Sequence, residues 1–217
     1  MAEINLLHTL PKPKRNLTER SAATEEDKQV ALQYGKDYFD GSRNHGYGGY
    51  RYDGRWASVA QTFIEHWGLK PGDKVLDIGC AKGFLVKDFL KVCPEIQVYG
   101  LDISEYALRN CEPEVVGRLH LGNALKLPFP DASFTAAISL NTLHNLERPE
   151  CIEAIREMQR VAPGKGYIQV DSYRTEEEEQ IFAKWVLTAK THGYPDYWLK
   201  IFEEAGYTGD YYWTIIT

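Results

Sequence analysis

The chain has few cysteines, no basic excess and no long apolar run, and each shortage closes a class of function. Its four cysteines, Cys80, Cys93, Cys111 and Cys151, form no CxxC pair and no close Cys/His group. That spacing excludes a disulfide framework and a sequence-evident metal site, and it points to a reducing, cytoplasmic setting. Lys and Arg together number 25 against 31 Asp and Glu, a formal net charge of −6. Sequence-independent nucleic-acid binding needs a basic face that releases counterions, so no nucleic-acid partner is expected. No stretch is apolar for long enough to span a bilayer or serve as a secretory leader, so no membrane partner is expected either. Internal repeats are also missing.

What is present reads as one globular domain. The 217 residues are 43% hydrophobic and 26% charged, enough to bury a full core. Residues 1–23, with two prolines and the basic run KPKR, read as a mobile N-terminal arm, and 24–217 as a single domain. Thr24 followed by Asp27 marks a helix start, with a helix running to about Tyr38. From Trp56 onward, helical periods alternate with short apolar strands: WASVAQTFIEHW, KVLDIG, FLVKDFLKV, QVYGLDIS, RLHLGNA, FTAAISLN, PECIEAIREMQRVA and YIQVDSY. Strands that are apolar on both sides, with helices between them, predict a doubly wound, mostly parallel α/β sheet covered on both faces, with six or seven strands. After Tyr173, EEEEQIFAKWVLTAK and WLKIFEEAG read as helices before a last strand in YTGDYYWTIIT. Residues 174–195 are therefore expected to form an inserted helical cap above the carboxyl edge of the sheet, where ligands bind.

The central motif is VLDIGCAKGF, from Val75 to Phe84. A strand ends at Asp77, small residues follow, and a helix begins. Gly79 allows the backbone to approach a ligand, and Gly83 allows the helix to pack on the sheet. The next strand ends in Asp102, 19 residues beyond Gly83, where an acid is placed to bind ribose hydroxyls. Asn123 and Ala124 follow the third strand, an amide for an adenine edge and a small residue that leaves room for the ring.

On these pieces the chain resembles the class I S-adenosylmethionine-dependent methyltransferases of the small-molecule, type 11-like group. VLDIGCAKG, GLDIS, GNALKLPFPDASF, ISLNTLHNL and REMQRVAPGKGYI occur in that family's order and spacing, over residues from about 55 to 171. The family's glycine motif has a glycine where this chain has Ala81, and its sheet usually closes with a hairpin, for whose second strand little chain is left here. The resemblance implies S-adenosyl-L-methionine as cofactor; no metal is expected, since a metal-dependent catechol-type enzyme would need carboxylates after the fourth strand, where Asn141 is the nearest polar group. It also implies that Gly79 and Cys80 line the methionine moiety, Asp77 orients the glycine turn, Asp102 holds the ribose diol, Ile103 packs on adenine, and Leu140 approaches the cofactor through its backbone. A cofactor-binding module without catalysis is the alternative. A nicotinamide oxidoreductase fits less well, because its fingerprint is one residue longer.

The acceptor is expected to be a small molecule, and the pocket rather than a base to be the main device, since alignment alone supplies about 7–11 kcal/mol. His144 is the candidate base by its ordinary pKa, with a loop-bonding histidine as the equally good reading. Asn141 and Tyr173 stand at strand ends nearby. GYGGYRYDGRW, from Gly46 to Trp56, holds four glycines, three tyrosines and two arginines. Within the segment 24–56 it reads as a lid, with Tyr47 and Tyr50 shielding the reaction and Arg51 and Arg55 clamping a carboxylate or phosphate. Oligomeric state is not legible.

Overall fold

The sheet takes its form from strands that bury both faces. The computed structural model describes residues 1–11 and 23–217, so the KPKR run lies outside the described residues. Six strands, β1 Lys74–Ile78, β2 Gln97–Asp102, β3 Leu119–Leu121, β4 Ala136–Leu140, β5 Gly166–Asp171 and β6 Asp210–Thr214, lie in the order β3-β2-β1-β4-β5-β6. Every pairing is parallel. Along β1, Leu76 and Ile78 enter one core while Val75 enters the other, the two-residue alternation of a strand covered on both sides.

The helices are α1 Glu25–Ala31, α2 Lys36–Asp40, α3 Ala57–Trp67, α4 Phe84–Val92, α5 Glu105–Arg109, α6 Arg148–Val161, α7 Glu176–Trp185 and α8 Pro195–Ala205. α6 and α8 supply Ile155, Met158, Trp198 and Phe202 to one core; α3 and α4 supply Phe63, Val86 and Phe89 to the other. The ends obey local rules. Ser104 accepts from the Ala107 amide to start α5, and Gly68 (φ 57°) and Gly206 (φ 68°) close α3 and α8 in the left-handed region that glycine favours. No helix among the described residues is long and apolar enough to cross a membrane.

Three expectations are corrected. The helix expected from Thr24 to Tyr38 is two helices, because Tyr34 takes φ 48° and the Ser104 hydroxyl donates to its carbonyl at 2.6 Å. The helix expected to reach Lys190 stops at Trp185, where Val186 turns extended. Residues 1–10 of the expected arm lie on the protein. The Tyr211 amide donates to Ala2 O at 3.0 Å and the Ile4 amide to Tyr211 O at 2.9 Å, a strip alongside β6. Leu6, 4% exposed, enters the core, and the Tyr167 hydroxyl bridges the Leu6 amide and the Ile4 carbonyl. Among the described residues there is no seventh strand; this strip covers the edge of β6 instead.

Candidate active site

The order change between β1 and β4 opens a crevice at the carboxyl ends of the strands. The glycine turn after β1 is set by hydrogen bonds to β2. The Gly79 and Cys80 amides both donate to Leu101 O, at 2.7 and 3.1 Å, and the Ala81 amide donates to Asp102 Oδ2 at 2.7 Å. Ser104 N–H donates to Asp102 Oδ1 at 2.7 Å. Asp102, not Asp77, therefore orients the turn. Gly79 is obligatory, since it sits at φ 84° and a Cβ there would lie 2.0 Å from Thr142 Oγ1. Ala81 occupies φ 50°, a left-handed conformation that costs an alanine roughly 1–2 kcal/mol. The bond to Asp102 holds it there.

A cavity of about 330 Å³ lies over this turn, and Gly79, Ala81, Asp102, Ile103, Asn123, Ala124 and Leu140 line it, as expected from sequence. Ile103 is 57% exposed, an apolar surface facing an apolar guest. Asn123 spends its Oδ1 on the Leu125 amide, which leaves its Nδ2 hydrogens as donors. Three of the expected cofactor residues do not line the cavity. Cys80 points into the core against β2, where its Sγ would lie 2.5 Å from a Cβ on Gly100. Gly83 serves packing, because a Cβ would meet Leu119 at 2.9 Å. Asp77 is buried beneath the turn, without a hydrogen bond from any described side chain. Burial, and then the charge of Asp102, push its pKa up to about 7. Burial also raises Asp102, against the lowering effect of the Ser104 and Ala81 amides.

The far wall of the cavity comes from the N-terminal segment, through Leu32, Tyr34, Tyr38, Phe39 and Tyr47. Lys82, inside the glycine motif, fastens this segment down. Its Nζ lies 2.8 and 2.6 Å from the Asp40 carboxylate oxygens and 3.0 Å from Tyr50 O, and the Tyr106 hydroxyl donates to the same carboxylate at 2.8 Å. Tyr50 stacks on Phe84 at 4.6 Å. Sequence reading missed Lys82, Asp40 and Tyr106. A lysine in a glycine-rich turn was the available signal, but its partner lies 42 residues away.

A second cavity, about 530 Å³, adjoins the first; Tyr38, Tyr47 and Asn141 line both. Tyr50, Arg51, Arg55 and His144 line it, along with Asp171 and the stretch Trp185–Ala189. Tyr173 does not. It is packed against Phe182 of α7 and against Tyr194. Arg55 is engaged by Asp53 through bonds of 2.7 and 2.9 Å, which removes it as a ready clamp. Arg43, which the sequence did not single out, stands over the Trp185 ring at 5.3 Å and donates to Gly46 O and Tyr47 O. The loop's glycines are also accounted for locally. Gly48, Gly49 and Gly54 take φ of 70°, 109° and 75°, and a Cβ on Gly46 would strike Tyr38 O, so glycine content is not by itself a mark of a hinge.

His144 is 4% exposed, and its Nδ1 accepts the Asp171 amide at 2.9 Å. A ring nitrogen that accepts is unprotonated, so the neutral ring carries its hydrogen on Nε2. The imidazole expected as a base is thus built as a donor.

Residues 76–170 match the family model described as a methyltransferase domain. That stretch is a methyltransferase domain. The domain is 37% identical over 89 residues to a demethylmenaquinone methyltransferase of Symbiobacterium thermophilum, and 35% identical over 135 residues to a probable tRNA methyltransferase 9B of Mus musculus. Those stretches cover 37% and 59% of this chain; the chain spans only 36% and 27% of those relatives' lengths. Among solved structures, a chain of the complex between the Haloferax volcanii Trm112 methyltransferase activator and a methyltransferase superposes with a TM-score of 0.53 at 18% identity. It covers 90% of this chain and 77% of that one, a likeness of fold.

Proposed function

We propose that this methyltransferase domain binds S-adenosylmethionine in the first cavity and methylates a small anionic acceptor held in the second. The junction of the two cavities at Tyr38, Tyr47 and Asn141 carries the reading, because it leaves a short, walled path between a cofactor and an acceptor. The residues of the first cavity suit the cofactor. Asp102 has lone pairs left for a ribose diol after its two amide bonds, Ile103 offers an apolar face, and buried Asp77 favours a cationic guest. When bound, the cofactor supplies an activated methyl group on a sulfonium. The chain's task is then to align the acceptor and exclude water, which the tyrosines of the N-terminal segment and the Trp185–Ala189 stretch are placed to do. Arg43 and Arg51 have no carboxylate partner among the described residues and suit a carboxylate or phosphate.

The relatives' names include both a quinone and a tRNA methyltransferase, so the test sets a dialysable metabolite fraction against total tRNA. Turnover, followed as S-adenosylhomocysteine release, is expected with the metabolites alone. Calorimetry is expected to record binding of S-adenosylhomocysteine, weakened at least about tenfold by Asp102→Ala. A charge-assisted bond is worth about 1.5–3 kcal/mol and 1.4 kcal/mol is a decade. Turnover of tRNA would overturn the acceptor class; tight cofactor binding with no turnover on either substrate would indicate a binding module.

A further inference from the structure

Among the described residues, the acceptor end of the second cavity is furnished with hydrogen-bond donors and no base is placed there. His144 presents Nε2–H, because Nδ1 is held by the Asp171 amide. Protonating Nδ1 instead would set two N–H groups against each other. Asn141 is fixed in the same sense. Its backbone stands at φ 51°, its Oδ1 accepts the Thr214 hydroxyl at 2.7 Å, and Thr214 Oγ1 in turn accepts Gln169 Nε2 at 2.9 Å. That relay leaves the Asn141 Nδ2 hydrogens to face outward, at the residue shared by both cavities. Burial raises the pKa of the Tyr50 phenol, with the charge of Asp77 adding to it, so Tyr50 remains an O–H donor. Arg43 adds a half-buried guanidinium that donates to the Gly46 and Tyr47 carbonyls.

Among the described residues, the acids on this wall are Asp53 and Asp171. Arg55 holds Asp53. Asp171 Oδ2 lies 3.5 Å from His144 Nδ1, on the side of the ring away from Nε2. Both carboxylates thus already face a nitrogen of the protein, Asp53 the Arg55 guanidinium and Asp171 the His144 ring. Among the described residues, an acceptor that must lose a proton therefore finds none of the equipment it needs. One that arrives deprotonated, and wants donors, finds all of it.

We infer that the group methylated here is a carboxylate and the product a methyl ester, an inference that rests on the second cavity being the acceptor site. One carboxylate oxygen takes the His144 and Asn141 donors while the other attacks. A C–O bond forms as the methyl C–S bond breaks, the electron pair remains on sulfur, and no proton is released.

The test labels the dialysable metabolite fraction with methyl-tritiated S-adenosylmethionine and the full chain, then treats the product with alkali. An ester is expected to release its label as volatile methanol. Label that survives alkali, as on a phosphate, phenol, amine or carbon, overturns the carboxylate while leaving the methyltransferase reading standing; no label at all overturns that reading and this inference with it. His144→Gln keeps an N–H donor and His144→Leu removes it, so both are expected to raise the Michaelis constant for the acceptor, the Leu variant by about tenfold more, whereas loss of a general base costs about 10²–10⁴-fold in kcat. A loss of that size, in a variant with an unchanged melting temperature and with the acid limb of the pH profile gone, would make His144 the base.

Discussion

Asp77 joins burial to charge in a way that sets a pH dependence. The residue is 5% exposed, and its pKa rises from an ordinary 3.8 to about 7 through burial first and the Asp102 charge second. A group whose folded pKa is raised holds its full stabilising effect below the unfolded value. It loses that effect as pH climbs through the folded value. The ligand-free protein is therefore expected to lose stability from this group between about pH 4 and pH 7. Asp77→Asn, which cannot ionise, removes that loss. In urea titrations the stability of the variant minus that of the wild type is expected to become more positive from pH 5 to pH 8. A difference that stays flat over this range would show that Asp77 ionises freely in the folded state. Nearby Asp102 escapes the full penalty because two amides point at it, so two acids at adjacent strand ends have different fates.

At the scale of elements, the strip at residues 2–7 is the clearest gap between sequence and structure. EINLL carries no period long enough to name a strand, and its partner β6 lies some 200 residues away, so only the folded chain reveals the ladder. Leu6 is buried against the α3 and α4 side of the sheet. Leu6→Ala is expected to cost about 2–5 kcal/mol in urea denaturation, the range for a core leucine. A cost below about 0.5 kcal/mol would return the segment to the status of an arm. The six strands, by contrast, were legible because both-sided burial writes continuous apolar runs, and α3, α5 and α8 because Gly68, Ser104 and Gly206 mark their ends locally. The break at Tyr34 was illegible because a hydroxyl 70 residues away imposes it. The same division runs through the site. Gly79, Asp102 and Asn123 stand on strand ends that the sequence locates, whereas Lys82 with Asp40, and Arg43 over Trp185, are pairings made only by the fold.

For the whole molecule, those long-range pairings decide how the N-terminal segment joins the sheet. Lys82 is nearly buried, and Asp40 supplies its counter-charge while also accepting from Tyr106 and from the Tyr50 amide. One carboxylate thus ties α2, the tyrosine-glycine loop, the turn after β1 and α5 together. The first cavity has that segment as one wall, so a cofactor enters or leaves only as fast as the tie permits if the segment serves as a lid. Asp40→Asn keeps the shape and removes the charge, leaving the Lys82 ammonium without its counter-ion. Breaking a fully buried pair costs about 3–5 kcal/mol; Asp40 is partly open to solvent, so a smaller loss of about 1–3 kcal/mol is expected. Confined to local opening, that loss speeds hydrogen exchange across residues 34–56 by about tenfold or more, while β1 and β4 exchange as before. Dissociation of S-adenosylhomocysteine, followed by stopped flow, is expected to quicken with it. Faster exchange without faster dissociation would make the segment a clamp on the fold and not a lid. Unchanged exchange in 34–56 would mean that the aromatic stack of Tyr50 on Phe84, and not the ion pair, holds the segment down.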